Sequence, residues 1–241
     1  MKSTKKVVKG FKQETIAKIV AALLALYRYY LALLEKGEKL SIVISSGNSK
    51  IGRCMNVSLA PIITCGNCKE CKAFCYDVKA CLQYENVRKA RAKNTAIFKH
   101  SREEFFRQLW TKMARKKKNK FLRFHVSGEI MDLGHVEWII KTAKMFPDFT
   151  IWTYTKMYGI VNEYIRQHGG TKDCIPANLT IMYSEWKGLP IINPYNMPVF
   201  RCIEEGEPAP AGMSKCPGNC DICKATHSGC VAGESKYVLL H

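Results

Sequence analysis

Cysteine crowding constrains this chain more than any other feature. It carries 12 cysteines, six between Cys54 and Cys81 and four between Cys216 and Cys230. A chain of 241 residues, 47% hydrophobic, can build a core without disulfide staples. Thiols packed two or three residues apart suit a metal instead, because several thiolates must converge on one point.

The first group is Cys65, Cys68, Cys71 and Cys75, with spacing C-x2-C-x2-C-x3-C. This is the bacterial ferredoxin run, which wraps an iron–sulfur cube. There the fourth cysteine serves a second cluster and proline follows it; here Tyr76 follows Cys75. The second group is Cys216, Cys220 and Cys223, with Cys230 seven residues on. Its C-x3-C-x2-C spacing leaves one iron of a cluster open unless Cys230 closes the site. The expected cofactor is one or two iron–sulfur clusters of the 4Fe–4S type. Zinc is the alternative, since Cys65–Cys68 and Cys220–Cys223 also suit zinc-knuckle turns. The two pairs are too far apart for one zinc ribbon. Cys54, Cys81 and Cys202 flank the groups as substitute ligands, and Cys174 stands alone.

Hydrophobic periodicity organises the rest into a single domain, 1–241. Residues 12–36 read as an amphipathic helix with Ile16, Val20, Leu23, Tyr27, Tyr30 and Leu34 on one side. A short strand at 41–45 precedes a long irregular cysteine loop, 46–81. Helices are expected at 82–99 and 102–117. A βα core at 120–186 follows, with strands at 121–128, 149–155 and 179–185 and helices at 131–146 and 156–168. A strand at 198–203, the second cysteine segment at 202–232 and a strand at 236–241 close the chain. Alternating strands and helices predict parallel strands with right-handed crossovers, hence an α/β fold.

Strand alternation turns Leu122, Phe124 and Val126 to the helices and Arg123, His125 and Ser127 to the other face. Buried polar side chains need partners, and sites in such folds gather at the carboxyl ends of strands. Arg123, His125, Glu129, Tyr154 and Lys156 are therefore the candidate catalytic residues. Ser184 and Glu185 end the next strand. A structural alternative is an internal ion pair, such as Arg123 with Glu185.

The net charge of +18 favours nucleic acid or a phosphorylated substrate as partner. Basic runs at 88–93 and 115–120 read as solvated helix faces. The N-terminus has a basic start and an apolar run at 19–27, but no small-residue cleavage site. That run is short for a bilayer span, so no membrane role is expected and a cytoplasmic location follows.

Several landmarks, in order, resemble the mostly bacteriophage-encoded gene product 88-like family: GNSKIG (47–52), Cys65, Cys71, Cys75-Tyr76, YENVRKARAKN (84–94), RFHVSGE (123–129), WTYTK (152–156), the strand ending at Ser184, and the closing VLLH. Cys68 looks additional to that pattern, and Glu129 stands where the family usually has Asp. The resemblance implies a viral protein in the host cytoplasm. The layout is also similar to radical S-adenosylmethionine enzymes, which implies a partial (β/α) barrel. It further implies cofactor binding by Gly128, Glu129 and Ser184, with Glu129 holding the amino group. The first loop departs from that pattern, because C-x3-C-x2-C appears only at the far end. The expected function is thus an iron–sulfur redox or radical-type protein acting on a nucleic-acid-related or phosphorylated substrate. The alternative is a zinc-stapled nucleic-acid-binding module without catalysis.

Overall fold

The structure, a computed structural model, describes residues 10–66, 68 and 70–240. Most of the basic N-terminal segment, Asn67 and Lys69 in the first cysteine run, and His241 of the closing VLLH lie outside them.

Helix α1 (Gln13–Glu35) comes first. Ile16, Ile19 and Leu23, at three- and four-residue steps, are its buried positions, and it packs on the later helix α3. Gly37 adopts φ +83° past its end. There the Gly37 amide donates to Leu34 O and that of Glu38 to Leu33 O, the double closure that a left-handed residue permits. By length and composition the whole helix could cross a membrane, although its apolar run reads as too short. The core helix of a folded domain passes the same test.

Strands β1 (Ile44–Asn48) and β2 (Gly52–Val57) form an antiparallel hairpin. It falls in and beside the stretch expected to be irregular, so β2 corrects the sequence reading. The Asn48 side chain closes the turn by accepting from the amides of Lys50 and Ile51. Then come α2 (Tyr76–Gln83), α3 (Glu85–His100) and α4 (Arg102–Ala114). Ser101 caps α4 by accepting from the Glu104 amide at 3.1 Å.

The expected alternation follows: β3 (Phe121–Phe124), α5 (Leu133–Met145), β4 (Thr150–Thr155), α6 (Tyr158–Gln167) and β5 (Leu179–Glu185). The chain ends with β6 (Val199–Ile203), the two-residue β7 (Ser214–Lys215), α7 (Cys220–Thr226) and β8 (Lys236–Leu239). All strands lie in one eight-stranded sheet of order β1-β2-β3-β4-β5-β6-β8-β7, parallel from β2 onward.

Because each crossover from β2 to β5 steps to the adjacent strand, the helices connecting them collect on one face of the sheet. Leu122, Phe124, Ile151, Ile181 and Tyr183 pack there against Phe105, Phe106, Leu109 and Ile139. Each fully buried side chain of this size contributes roughly 1.5–3 kcal/mol. The opposite face carries a smaller cluster, Trp152 and Met182 with Cys54, Cys223, Cys230 and Val231. The second cysteine segment lies across it, touching β2, β4 and β5.

Candidate functional site

The carboxyl ends of β2 to β5 deliver four things to one place: the first cysteine loop, the Gly128-Glu129 turn, Lys156 and Ser184. They border a cavity of about 450 Å³. Cys65, Cys68, Cys71 and Cys75 line one side, and Cys216 and Cys220 line another. Arg123 and Tyr154 form the wall between them. Two cysteine groups some 150 residues apart in sequence thus share one cavity. A larger groove of about 680 Å³ runs along Glu185–Pro190 and Cys202–Pro210. Four of its charges are paired with each other, Glu185 with Arg201 and Lys187 with Glu204, and it holds one cysteine.

The first loop is fastened at several points. Leu59 N donates to Ser127 O (3.0 Å) and Ala60 N to Thr95 Oγ1 (2.8 Å). Buried Asn94 accepts from Val43 N and donates to Val43 O and Ser58 O, tying β1 and the loop to α3. Asp77 and Arg91 form a buried two-pronged pair, 3.1 and 3.2 Å. Arg88 donates to Cys81 O at 2.6 Å. Two arginines of the 88–93 run therefore brace this loop, which corrects the reading of that run as a solvated face.

Within the loop, the Cys68 thiol lies in hydrogen-bonding reach of both Cys65 and Cys71, which pushes its pKa far up. The same contact with Cys68, helped by the Lys156 ammonium and opposed by burial, brings Cys71 down to about 7. Burial pushes Cys75 up to about 12, although the Asp77 and Val78 amides point at it.

Gly128 adopts φ +88°. A Cβ there would meet Leu59 Cβ and Thr64 Oγ1 at 2.8 Å, so glycine lets this turn sit against the cysteine loop. Buried Glu129 accepts from Thr155 Oγ1 (2.8 Å) and from the Lys156 amide (3.1 Å). Burial raises its pKa. Lys156 Nζ donates to Ser184 Oγ at 3.2 Å. Glu129 thus fixes the end of β4, and through it the position of Lys156.

His125 departs from the expected alternation. The strand stops at Phe124 and His125 turns left-handed, φ +52°, which sends Val126 to the cysteine face instead of the helix face. The imidazole Nε2 then lies 3.0 Å from Nε2 of His135 on α5. His135 Nδ1 accepts from Met131 N, so its Nε2 carries the proton and donates to His125. His125 must carry its own proton on Nδ1, which has no partner among the described residues. Burial lowers both, His125 to about 3 and His135 well below the usual range, so both are neutral.

The second group sits in apolar surroundings. Cys220 N donates to Lys50 O and Cys216 N to Tyr237 O, anchoring it to the β1–β2 hairpin and to β8. The Tyr154 hydroxyl hydrogen-bonds Cys230, whose thiol burial pushes up to about 12. Burial also raises Cys220. Cys54, flanking in sequence, joins this group in space and is pushed by burial up to about 11. The Arg123 guanidinium stacks 4.6 Å from the Tyr154 ring centroid. Glu185 pairs with Arg201, not Arg123.

Cys81 packs instead beside Asp77, Cys202 lies on β6, and Cys174 packs at the edge of the helix-side core. All 12 cysteines are free. Among the described residues, no set of three or more His, Cys, Asp or Glu side chains has a metal-holding arrangement. The donor chemistry nonetheless fits a thiophilic group. In the first loop the Cys68 thiol is close enough to hydrogen-bond both Cys65 and Cys71, and Cys75 lines the same cavity.

A family model described as gene product 88 matches residues 31–187. The chain belongs to the gene product 88 family. The matched stretch includes the first cysteine group, Arg123, Glu129, Lys156 and Ser184, whereas the second cysteine group lies beyond it. No curated protein and no solved structure matches the chain. The likeness to radical S-adenosylmethionine enzymes finds no support in these comparisons. In the fold, the Glu129 oxygens are already engaged by Thr155 and Lys156.

Proposed function

We propose that this gene product 88 protein is a cytoplasmic iron–sulfur redox protein whose working site is the cavity between its two cysteine groups. One observation carries the reading: cysteines from both ends of the sequence line that cavity, at the strand ends where α/β folds place their chemistry. On this reading the sheet is the wall of a partial (β/α) barrel.

Cys65, Cys68, Cys71 and Cys75 would hold the first cluster, and Cys216, Cys220, Cys223 and Cys230 a second. A bound cluster supplies one-electron transfer at a potential set by its ligands, hydrogen bonds and exposure. The chain's own residues set those conditions. Lys156 brings positive charge beside Cys71, which favours its thiolate. Glu129 holds Lys156 in place through the β4 terminus. Tyr154 donates a hydrogen bond to Cys230. Gly128 lets its turn close on the first loop.

The test is anaerobic purification followed by visible and electron paramagnetic resonance spectra before and after dithionite. The reading requires a coloured protein that bleaches and gains a paramagnetic signal on reduction. A colourless protein holding stoichiometric zinc overturns it and leaves the zinc-stapled nucleic-acid-binding module.

A further inference from the structure

Arg123 stands out among the basic side chains because of where it sits. It lies on a central strand, on the cysteine face, and lines the cavity. Its Nε is shut off from solvent with no hydrogen-bond partner, and among the described residues no carboxylate pairs with it. Its electrostatic neighbours are Tyr154, Tyr76, Cys220 and Cys54. Two are phenols already engaged, Tyr154 with Cys230 and Tyr76 with Val126 O. The two carboxylates on the cavity wall are also committed, Asp77 to Arg91 and Glu129 to Thr155 and Lys156. Arg123 is therefore a cavity-lining cation that no carboxylate among the described residues neutralises, a costly arrangement unless a negative group sits beside it.

We propose that Arg123 anchors a small organic anion, a carboxylate or phosphate monoester, in this cavity. The shape agrees. Phe200, Val126 and Val238 supply an apolar wall, and Phe200 meets the Tyr154 ring edge-on at 5.2 Å. A planar or apolar body can lie there while its charged end reaches the guanidinium fork, which matches carboxylate and phosphate geometry. The buried Ser127 hydroxyl, also without a partner, adds a donor on the same wall. Lys156 adds positive charge near the first cysteine group. The volume of about 450 Å³ suits a metabolite rather than a polymer. The inference rests on the reading of this cavity as the working site, and it narrows the substrate class from polyanions in general to small anions.

The experiment is calorimetric titration of the full chain with phenyl phosphate, benzoate and neutral benzamide at fixed ionic strength, with iron content measured on the same samples. At least one anion should bind stoichiometrically and at least tenfold tighter than benzamide. The tighter of the two assigns the headgroup. Arg123→Met should lower that affinity at least tenfold, Arg123→Lys less, and Arg115→Met, on the exposed basic run, not at all. Anion binding that ignores Arg123→Met, or that matches benzamide, overturns the proposal. So does loss of iron in Arg123→Met with anion affinity intact, which would make Arg123 a neutraliser of thiolates. If Arg123→Met fails to fold, the benzoate–benzamide contrast and Arg123→Lys still decide. An iron-free protein that binds the anion sinks only the cluster reading; an iron-loaded protein that does not bind it sinks only this one.

Discussion

The two cysteine groups face each other yet live in different environments. The first sits on a loop of hydrogen-bonded thiols beside Lys156, and one of its cysteines is brought down to about 7. The second is packed against Trp152, Met182 and Val231, and burial pushes Cys230 up to about 12. The family match includes the first group and stops before the second. The contrast teaches that the environment favours the thiolate at Cys71 in the first group and the neutral thiol at Cys230 in the second. Residues around the second keep water out and hold the β1–β2 hairpin.

The largest contrast should appear in metal-free protein exposed to iodoacetamide at pH 7.5. Only the thiolate reacts, and even though a higher-pKa thiolate is the better nucleophile, Cys71 should alkylate at least about tenfold faster than Cys230. Mass-spectrometric site mapping reads this directly, and equal rates would erase the distinction between the groups.

Next is the brace of the first loop. Arg91→Met leaves Asp77 buried and unpaired, and should cost about 3–5 kcal/mol in urea unfolding. Cys75 and Cys81 should become more reactive while Cys223 does not. A change below about 1 kcal/mol would show that the ion pair does not carry this loop.

Acid comes third. His125 and His135 are held neutral in the fold, so between the free-histidine pKa near 6.5 and about 3 the unfolded chain binds more protons. Stability should fall as the pH drops through that window, by about 1.4 kcal/mol per histidine at pH 5.5 and close to 3 kcal/mol together. His125 directly precedes the turn that packs on the first loop, so first-group thiols should loosen before those of the second. A stability flat from pH 7.5 to 5.5 contradicts the buried pair.

The smallest effect should come from Cys223→Ser. It puts a hydroxyl in apolar surroundings at a cost of roughly 1–3 kcal/mol, with the spectrum of the first group unchanged. Loss of the whole visible spectrum would mean that the second group holds the colour.

Much of the βα frame was legible in the sequence, for physical reasons. The βα alternation from Phe121 to Glu185 is carried by strong apolar periodicity; the strands at 149–155 and 179–185 fell where it put them, and the one expected at 121–128 stops at Phe124. The hairpin strand Gly52–Val57 escaped because Arg53 and Asn56 dilute its apolar pattern. Its alternation holds the missing information. Met55 and Val57 go to the helix-side core and Cys54 to the other face, which would have placed Cys54 with the second group. Arg88 and Arg91 read as solvent charges because their partners, a backbone carbonyl and Asp77, belong to an earlier helix. His135 hid inside an amphipathic helix pattern, and no local signal marks the left-handed turn at His125 that brings the two rings together. That both cysteine groups line one cavity is a matter of strand order, beyond the reach of local sequence.

The central claim is that the first cysteine group holds an iron–sulfur cluster. Its most direct test is the iron, acid-labile sulfide and zinc content of anaerobically purified full-length protein beside the Cys71→Ser variant. The account predicts about four irons and a matching amount of sulfide at the first group, lost in the variant while the protein stays folded. Iron and sulfide contents that Cys71→Ser leaves undiminished, or zinc in their place, would contradict it.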